Sequence, residues 1–159
     1  MKKINIVGIC GSLRESSINK QLLTCVGRAL PGDWTFELAD LSDIPLYNTD
    51  LEENLPIAVK RLAETVGNAD AVIISTPEYN SSVPGVLKNA VDWLSRPAAG
   101  MPLSNKLVSV IGATPGMLGT VRAQLHLREI LFALNVQLLR RPEVLIPQAS
   151  SKFTADGEI

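Results

Sequence analysis

The sequence predicts an α/β domain built on a doubly wound parallel sheet with helices on both faces. Five short apolar segments, several rich in β-branched residues, alternate with segments whose apolar residues recur at helical spacing. A helix between successive strands implies parallel crossover connections. The strands are almost continuously apolar, as is typical of a sheet buried on both sides. The 159 residues fit one domain and contain no linker or repeat, so we treat 1–159 as a single unit.

The first half of the chain contains two predicted strands and two predicted helices. Ile4–Ile9 is the first strand, and Thr35–Leu38 is a weaker second strand. The helix between them begins at Ile18 and is stopped by Pro31-Gly32. A second helix is indicated by an apolar stripe that ends near Gly67 and consists of Leu55, Val59, Leu62 and Val66.

The second half continues the same alternation. The predicted strands are Ala71–Ser75, Lys106–Ala113 and Val136–Leu139. The predicted helices between them are Val86–Leu94 and Thr120–Leu134. Pro142 lacks a backbone N–H and is expected to limit the fifth strand. No further helix is legible after it.

The composition excludes several classes of function. A net charge of −1, from 15 basic and 16 acidic residues, argues against non-specific binding to nucleic acid or to an anionic membrane surface. Aromatic residues make up only 4%, too few for the stacking platforms of many single-strand RNA binders. Cys10 and Cys25 form no disulfide framework, and the lone His126 excludes a histidine-based zinc motif. No apolar stretch suits a signal peptide or a spanning helix, so we expect a cytoplasmic protein that does not insert into membranes.

The loop after the first strand has the chemistry of a phosphate site. Residues 11–19 join a strand to the N-terminus of a helix, where free N–H groups and the helix dipole favour an anion. Ser12, Ser16 and Ser17 add hydroxyl groups, Asn19 adds an amide and Arg14 adds a forked cation. The loop is neither a Walker loop nor a dinucleotide fingerprint. A purely structural interpretation stays open, in which a serine only caps the helix and Arg14 is solvated.

A second polar loop, residues 75–85, follows the third strand. If the strand order is 2-1-3-4-5, this loop and the first one meet at the point where the order reverses, which is where open α/β sheets bind ligands. The alternative is that Pro77 and Pro84 only stiffen a turn and that Asn80 to Ser82 cap the next helix.

Together the two loops carry a family resemblance. The motifs are Gly11-Ser12-Leu13-Arg14-x-x-Ser17-x-Asn19 and Thr76-Pro77-Glu78-Tyr79-Asn80-x-Ser82-x-Pro84-Gly85-x-Leu87-Lys88-Asn89-Ala90-x-Asp92-Trp93-x-Ser95-Arg96. The sequence resembles the NADPH-dependent FMN reductase family over essentially its whole length, and within it the bacterial quinone and chromate reductases. The resemblance implies a flavodoxin-like five-stranded sheet of order 2-1-3-4-5, bound FMN, NADPH or NADH as electron donor, and a homodimer or homotetramer.

The resemblance also implies which residues bind the cofactor. The first loop would hold the FMN phosphate, the segment from Pro77 would lie against the isoalloxazine ring, and the loop from Ala113 would line the flavin. The implied set is Ser12, Leu13, Arg14, Ser17, Ile18, Asn19, Pro77, Glu78, Tyr79, Asn80, Ala113, Thr114 and Gly116. Relatives often carry hydroxyl residues and a glycine pair in the last loop, where this chain has Ala113 and Gly119-Thr120. They also continue into a final helix, whereas this sequence stops at Ile159. No metal ligand and no catalytic side chain is expected, because the flavin would carry the chemistry.

Several other residues receive structural interpretations. Lys88, Asp92 and Arg96 have the spacing of a surface ion-pair ladder. Trp93 is expected to be a packing or interface anchor, and Cys10 a small buried residue. His126 is interpreted as a surface or interface residue. The resemblance implies subunit contacts for Arg122, Arg128 and Glu143, which by themselves would be interpreted as solvated charges. The helix after Pro84 and the fourth helix are expected to form the subunit interface.

The leading hypothesis is an enzyme that passes electrons from NADPH through FMN to quinones, chromate, azo compounds or free flavin by a ping-pong mechanism. The alternative is a flavodoxin-type one-electron carrier. Such carriers are usually acidic and flank the flavin with aromatic residues, whereas this chain is nearly neutral and poor in aromatic residues. A response-regulator domain shares the fold but needs an acidic cluster, which residues 8–12 lack.

Overall fold

A computed structural model describes residues 3–154. The strands, in chain order, are β1 (Asn5–Cys10), β2 (Thr35–Ala39), β3 (Ala71–Ser75), β4 (Leu107–Ala113), β5 (Gln137–Leu138) and β6 (Val144–Ile146). The helices are α1 (Ile18–Ala29), α2 (Ile57–Asn68), α3 (Gly85–Leu94) and α4 (Val121–Ala133). None of the helices in the described part of the chain is long and apolar enough to span a membrane.

The sheet is parallel at every strand pair, and its order is β2-β1-β3-β4-β5. This confirms the flavodoxin-like order. The chain runs from β1 to β2 in one direction across the sheet and thereafter in the other. Because crossover connections are right-handed, reversing the direction places the helix on the opposite face. The carboxyl ends of β1 and β3 therefore diverge into different layers, which opens a crevice between them.

The buried side chains divide into two clusters, one on each face of the sheet. The larger cluster packs α2, α3 and α4 against alternate residues of β1, β3 and β4, among them Val7, Ile74 and Val110. The smaller cluster packs α1 through Leu22 and Leu23 against Ile111 and Ala113 of β4. Both faces of the central strands are covered, as their continuous apolar sequences predict.

The β4 edge of the sheet differs from the sequence prediction. The fifth strand is Gln137–Leu138, shorter than the predicted 136–139, and it pairs with the start of β4. A sixth strand, Val144–Ile146, pairs with the end of the same strand. Pro142 was predicted to limit the fifth strand, and β5 does end before it, but the chain then pairs with β4 again as β6. The apolar run Val144-Leu145-Ile146 is the signal that could have revealed the return.

Gly112 in β4 allows a close approach of three segments. A Cβ atom at this position would overlap Thr120 Oγ1 and would lie 2.7 Å from the Thr76 carbonyl oxygen. It would also lie 3.0 Å from Gln124 Nε2. Glycine at position 112 therefore lets the loop after β3 and the start of α4 pack directly on β4.

We expect Gly112→Ala to lower the free energy of unfolding by about 1–3 kcal/mol, because the added methyl group overpacks this contact. Urea denaturation measures the change. The matched control is Gly85→Ala, since Gly85 is the first residue of α3 and no atom lies within 4 Å of its Cβ position. The control should be unchanged or slightly more stable. Equal destabilisation of both variants would contradict the assigned contact.

Candidate active site

A cleft opens at the carboxyl end of the sheet, at the reversal between β1 and β3. Its volume is about 280 Å³. The loops that follow β1, β3 and β4 and a short segment after β6 line it with Ser12, Arg14, Ser17, Ile18, Asn19, Pro77, Glu78, Tyr79, Ala113, Thr114, Pro115 and Ser150. The two polar loops singled out in the sequence thus form opposite walls of one site.

The first wall leads into the N-terminus of α1. Ser17 caps this helix, because its Oγ accepts a hydrogen bond from the Lys20 N–H at 3.3 Å. The Arg14 guanidinium is exposed and bonds the Ser16 carbonyl oxygen and hydroxyl at 3.3 and 3.2 Å. Ser12 is nearly buried, and its Oγ accepts the Arg14 N–H at 3.4 Å. A cation, two hydroxyl groups and the positive end of a helix therefore share this end of the cleft.

Asn19 ties this wall to the rest of the sheet. Its Nδ2–H donates to the Ala113 carbonyl oxygen at 2.9 Å, and its Oδ1 accepts from the Ala113 N–H at 3.0 Å and the Ser75 hydroxyl at 2.9 Å. The side chain is buried, with 4% of the residue exposed. In this structure Asn19 therefore fixes the start of α1 to the ends of β3 and β4, a role that its sequence position did not reveal.

The second wall is a tight hairpin after β3. Tyr79 and Ser82 exchange backbone hydrogen bonds of 3.2 and 3.0 Å across a two-residue turn. The turn residues Asn80 and Ser81 have φ values of 49° and 62°, the pattern of a type I′ turn. Asn80 to Ser82 therefore do not cap α3, whose N-cap position is Pro84. On the cleft side, the Tyr79 hydroxyl lies 3.5 Å from Ser12 Oγ and spans the gap between the two walls.

Glu78 faces α4. Its Oε2 accepts hydrogen bonds from the backbone N–H groups of Arg122 and Ala123, at 3.0 and 3.3 Å. Its Oε1 contacts the Arg122 side chain, with Nε at 2.6 Å and Nη2 at 2.5 Å. The carboxylate is thus engaged by protein groups.

The family model described as NADPH-dependent FMN reductase matches residues 4–151. The chain belongs to the NADPH-dependent FMN reductase family. An NAD(P)H-dependent FMN reductase of Pseudomonas aeruginosa is 46% identical over 157 residues, which cover 98% of this chain and 84% of that protein. A quinone reductase of Escherichia coli (strain K12) is 42% identical over 147 residues, or 91% of this chain and 78% of that protein.

A solved structure shows the same fold. FerB of Paracoccus denitrificans, described as a flavoenzyme NAD(P)H:(acceptor) oxidoreductase, is similar with a TM-score of 0.90 at 36% identity. The comparison covers 98% of this chain and 86% of FerB. As a member of the FMN reductase family, the chain is an enzyme that uses FMN and NAD(P)H.

The structure brings most of the residues proposed from the sequence into the cleft of this FMN reductase. Ten of the thirteen line it, and the exceptions are Leu13, Asn80 and Gly116. Leu13 lines a neighbouring cleft instead, and Asn80 is exposed at the hairpin turn. The backbone of Gly116 bonds Thr114 Oγ1 and the Gln148 N–H. Pro115 and Ser150 also line the cleft and are absent from the predicted set, and Ser150 reaches the cleft because β6 returns the chain to β4.

Outside the cleft, Arg96 differs from its sequence interpretation, and Trp93 matches the packing role but not the interface role expected of it. Lys88 pairs with Asp92 at 2.7 Å as predicted, but the Arg96 guanidinium lies over the Tyr47 ring, with Cζ 5.4 Å from the ring centroid. The predicted ladder therefore consists of one ion pair. Trp93 is fully buried and donates to the Pro45 carbonyl oxygen at 2.8 Å, which excludes it as an exposed interface anchor.

Two further interpretations can be compared with the structure. His126 is an exposed residue of α4, as expected. Burial raises the pKa of the Cys10 thiol, with partial offset from the Ser12 and Ser17 hydrogen bonds. The thiol is therefore protonated at neutral pH, which disfavours a redox role.

We expect Arg14→Ala to weaken FMN binding by about 10- to 150-fold, because a charge-assisted hydrogen bond to a phosphate is lost. Fluorescence titration with FMN measures the dissociation constant. Lys60→Ala removes the same charge from an exposed position of α2, a helix that contributes no residue to the cleft, and should leave the constant unchanged. An unaltered affinity in Arg14→Ala would show that Arg14 does not bind the phosphate.

Proposed function

We propose that this enzyme uses NAD(P)H to reduce quinones, with FMN bound in the cleft between the loops that follow β1 and β3. The observation that best supports FMN binding is that Arg14, Ser12 and the N-terminus of α1 meet in the cleft, where the strand order reverses. Such groups favour a phosphate. Relatives named as quinone reductases support the choice of acceptor, among them the protein from Escherichia coli and a 2-hydroxy-1,4-benzoquinone reductase of a Burkholderia species.

The residues present fit FMN. Ser12, Arg14 and Ser17 would hold the phosphate, while Pro77, Tyr79 and the backbone of Ala113 and Thr114 would hold the remainder. When bound, FMN accepts a hydride from NAD(P)H and delivers electrons to the acceptor. The cleft volume of about 280 Å³ is small for a ligand site. FMN bound there would therefore keep part of its surface open to a second molecule.

An open cleft also favours a broad range of acceptors and a ping-pong order. Donor and acceptor would enter by the same side in turn, and chromate, azo compounds and free flavin would have access as well as quinones. Glu78 is the one carboxylate among the lining residues that the structure describes, and Arg122 already engages it. The protein therefore contributes binding and orientation to the reaction rather than a general acid or base.

A one-electron carrier is the competing function. Tyr79 is the single aromatic residue among those described as lining the cleft, and the net charge is only −1. Both features disfavour a flavodoxin-type carrier. Turnover of NADPH or NADH with a small quinone, in the absence of any partner protein, separates the two functions.

We further propose a homodimer or homotetramer that uses the outer face of α4. Apolar side chains on this helix and the adjoining edge of the sheet remain exposed, with Phe132 at 79% and Leu125 at 52%. Leu107 and Leu139 extend this outer apolar face along β4 and the end of β5. An exposed apolar patch of this kind typically marks a contact surface. Cys10 and Cys25 are not joined in a disulfide, which is consistent with the reducing cytoplasm, where we place the enzyme.

We expect parallel double-reciprocal lines when NADPH and a quinone are varied together. General acid–base catalysis typically supplies roughly 10²- to 10⁴-fold in rate. His126→Ala and Glu78→Gln should each lower the rate by less than that. Steady-state kinetics with both nicotinamides provide the measurement, and the visible spectrum confirms that FMN is retained. Intersecting lines would refute the shared entrance, and a rate near zero for FMN-loaded His126→Ala would identify a catalytic histidine.

Light scattering at micromolar concentration should give a dimer or tetramer of the 17.1 kDa chain. Phe132→Glu should shift the mass toward the monomer, because it places a charge in the centre of the apolar face. Leu46→Glu is the control, since Leu46 is 82% exposed and lies outside that face. A monomeric wild-type protein would exclude the proposed assembly.

A further inference from the structure

The N-terminus of α4 lacks a cap of its own. Thr120 occupies the N-cap position with φ of 64° and makes no capping hydrogen bond through its side chain, and the first turn contains no acidic residue. The first N–H groups of a helix need an acceptor, and the positive end of the helix favours an anion. Glu78 supplies both from a distant loop, 44 residues earlier in the chain.

The hairpin is held against α4 at a second point. The Ser82 hydroxyl and His126 Nδ1 share a hydrogen bond of 3.0 Å. Arg122 and His126 are four residues apart and therefore lie on one face of the helix. Glu78 and Ser82 flank the type I′ turn, so both ends of the hairpin are fastened to the same helix face. We define these four residues as the hairpin clasp.

Glu78 belongs both to the clasp and to the lining of the cleft, whereas the other three clasp residues are not among the lining residues. Tyr79, directly after Glu78, extends toward Ser12 of the opposite wall. The type I′ turn leaves the hairpin little internal freedom, because its central residues occupy a narrow region of positive φ. The hairpin is therefore expected to move as one unit, and its distance from the first loop depends on where it is fastened to α4.

We propose that Arg122 and His126 are positioning residues that set the Pro77–Tyr79 wall of the cleft through Glu78 and Ser82. Neither residue is among those lining the cleft. Arg122 binds the Glu78 carboxylate in a forked contact, and His126 shares a hydrogen bond with the Ser82 hydroxyl. Two contacts fix both the position and the orientation of the hairpin relative to α4. The inference rests on the proposed flavin site but does not depend on which acceptor the enzyme reduces.

The test compares holoenzymes by the visible circular dichroism and the reduction potential of the bound flavin. Arg122→Ala should change both signals and lower kcat/KM for NADPH by about 3- to 30-fold. Arg122→Lys keeps the positive charge but cannot make the two-nitrogen contact with Glu78. Its circular dichroism, reduction potential and kcat/KM should therefore lie between those of the wild type and Arg122→Ala. Lys88→Ala is the matched control, because it breaks an exposed ion pair of 2.7 Å on α3, outside the cleft and the clasp.

A double-mutant cycle adds a second measurement. Glu78→Gln combined with Arg122→Ala should cost less than the sum of the single changes, because both remove the same contact. Ser82→Ala and His126→Ala should behave as a second, smaller pair. Folded Arg122→Ala protein with unchanged circular dichroism, reduction potential and kcat/KM would overturn the proposal. Wild-type protein that binds no FMN would instead refute the flavin site, so the two failures are distinguishable.

Discussion

The buried amide of Asn19 is the contact on which the cleft depends. It joins the first turn of α1 to the last residues of β3 and β4, the three elements whose loops form most of the cleft lining. An apolar side chain would leave the Ala113 N–H, the Ala113 carbonyl and the Ser75 hydroxyl unpaired, and each buried unpaired group costs about 1–3 kcal/mol. The N-terminus of α1 is therefore held in a fixed position relative to the ends of β3 and β4.

All four helices follow strands of the parallel sheet, so their N-termini lie at its carboxyl edge, and those of α1 and α4 have different surroundings. The N-terminus of α4 is occupied by Glu78, whereas that of α1 opens into the cleft beside Arg14. The Glu78 carboxylate therefore already accepts hydrogen bonds from the N-terminus of α4, whereas the N-terminus of α1 stays accessible from the cleft.

The sequence predicted the fold well because hydrophobic periodicity depends on local burial. All four helices and the first four strands lie within a few residues of their predicted positions. The split β4 edge was only partly predicted, since Pro142 predicts where pairing stops but not where a chain rejoins the sheet. In the site, the two polar loops were predicted to meet because parallel strands align their ends. The roles of Asn19 and Glu78 were not, because their partners Ala113 and Arg122 lie far away in the sequence and are chosen by packing.

The interrupted edge formed by β5 and β6 has a consequence for how molecules of this enzyme can associate. A long unpaired edge strand invites another chain to add itself to the sheet, which leads toward aggregation. Here the edge offers segments of only two and three residues, separated by a turn that contains Pro142. Intermolecular strand addition is thus suppressed on this side. Any assembly on the adjoining face of α4 would therefore form through side-chain contacts rather than through strand pairing.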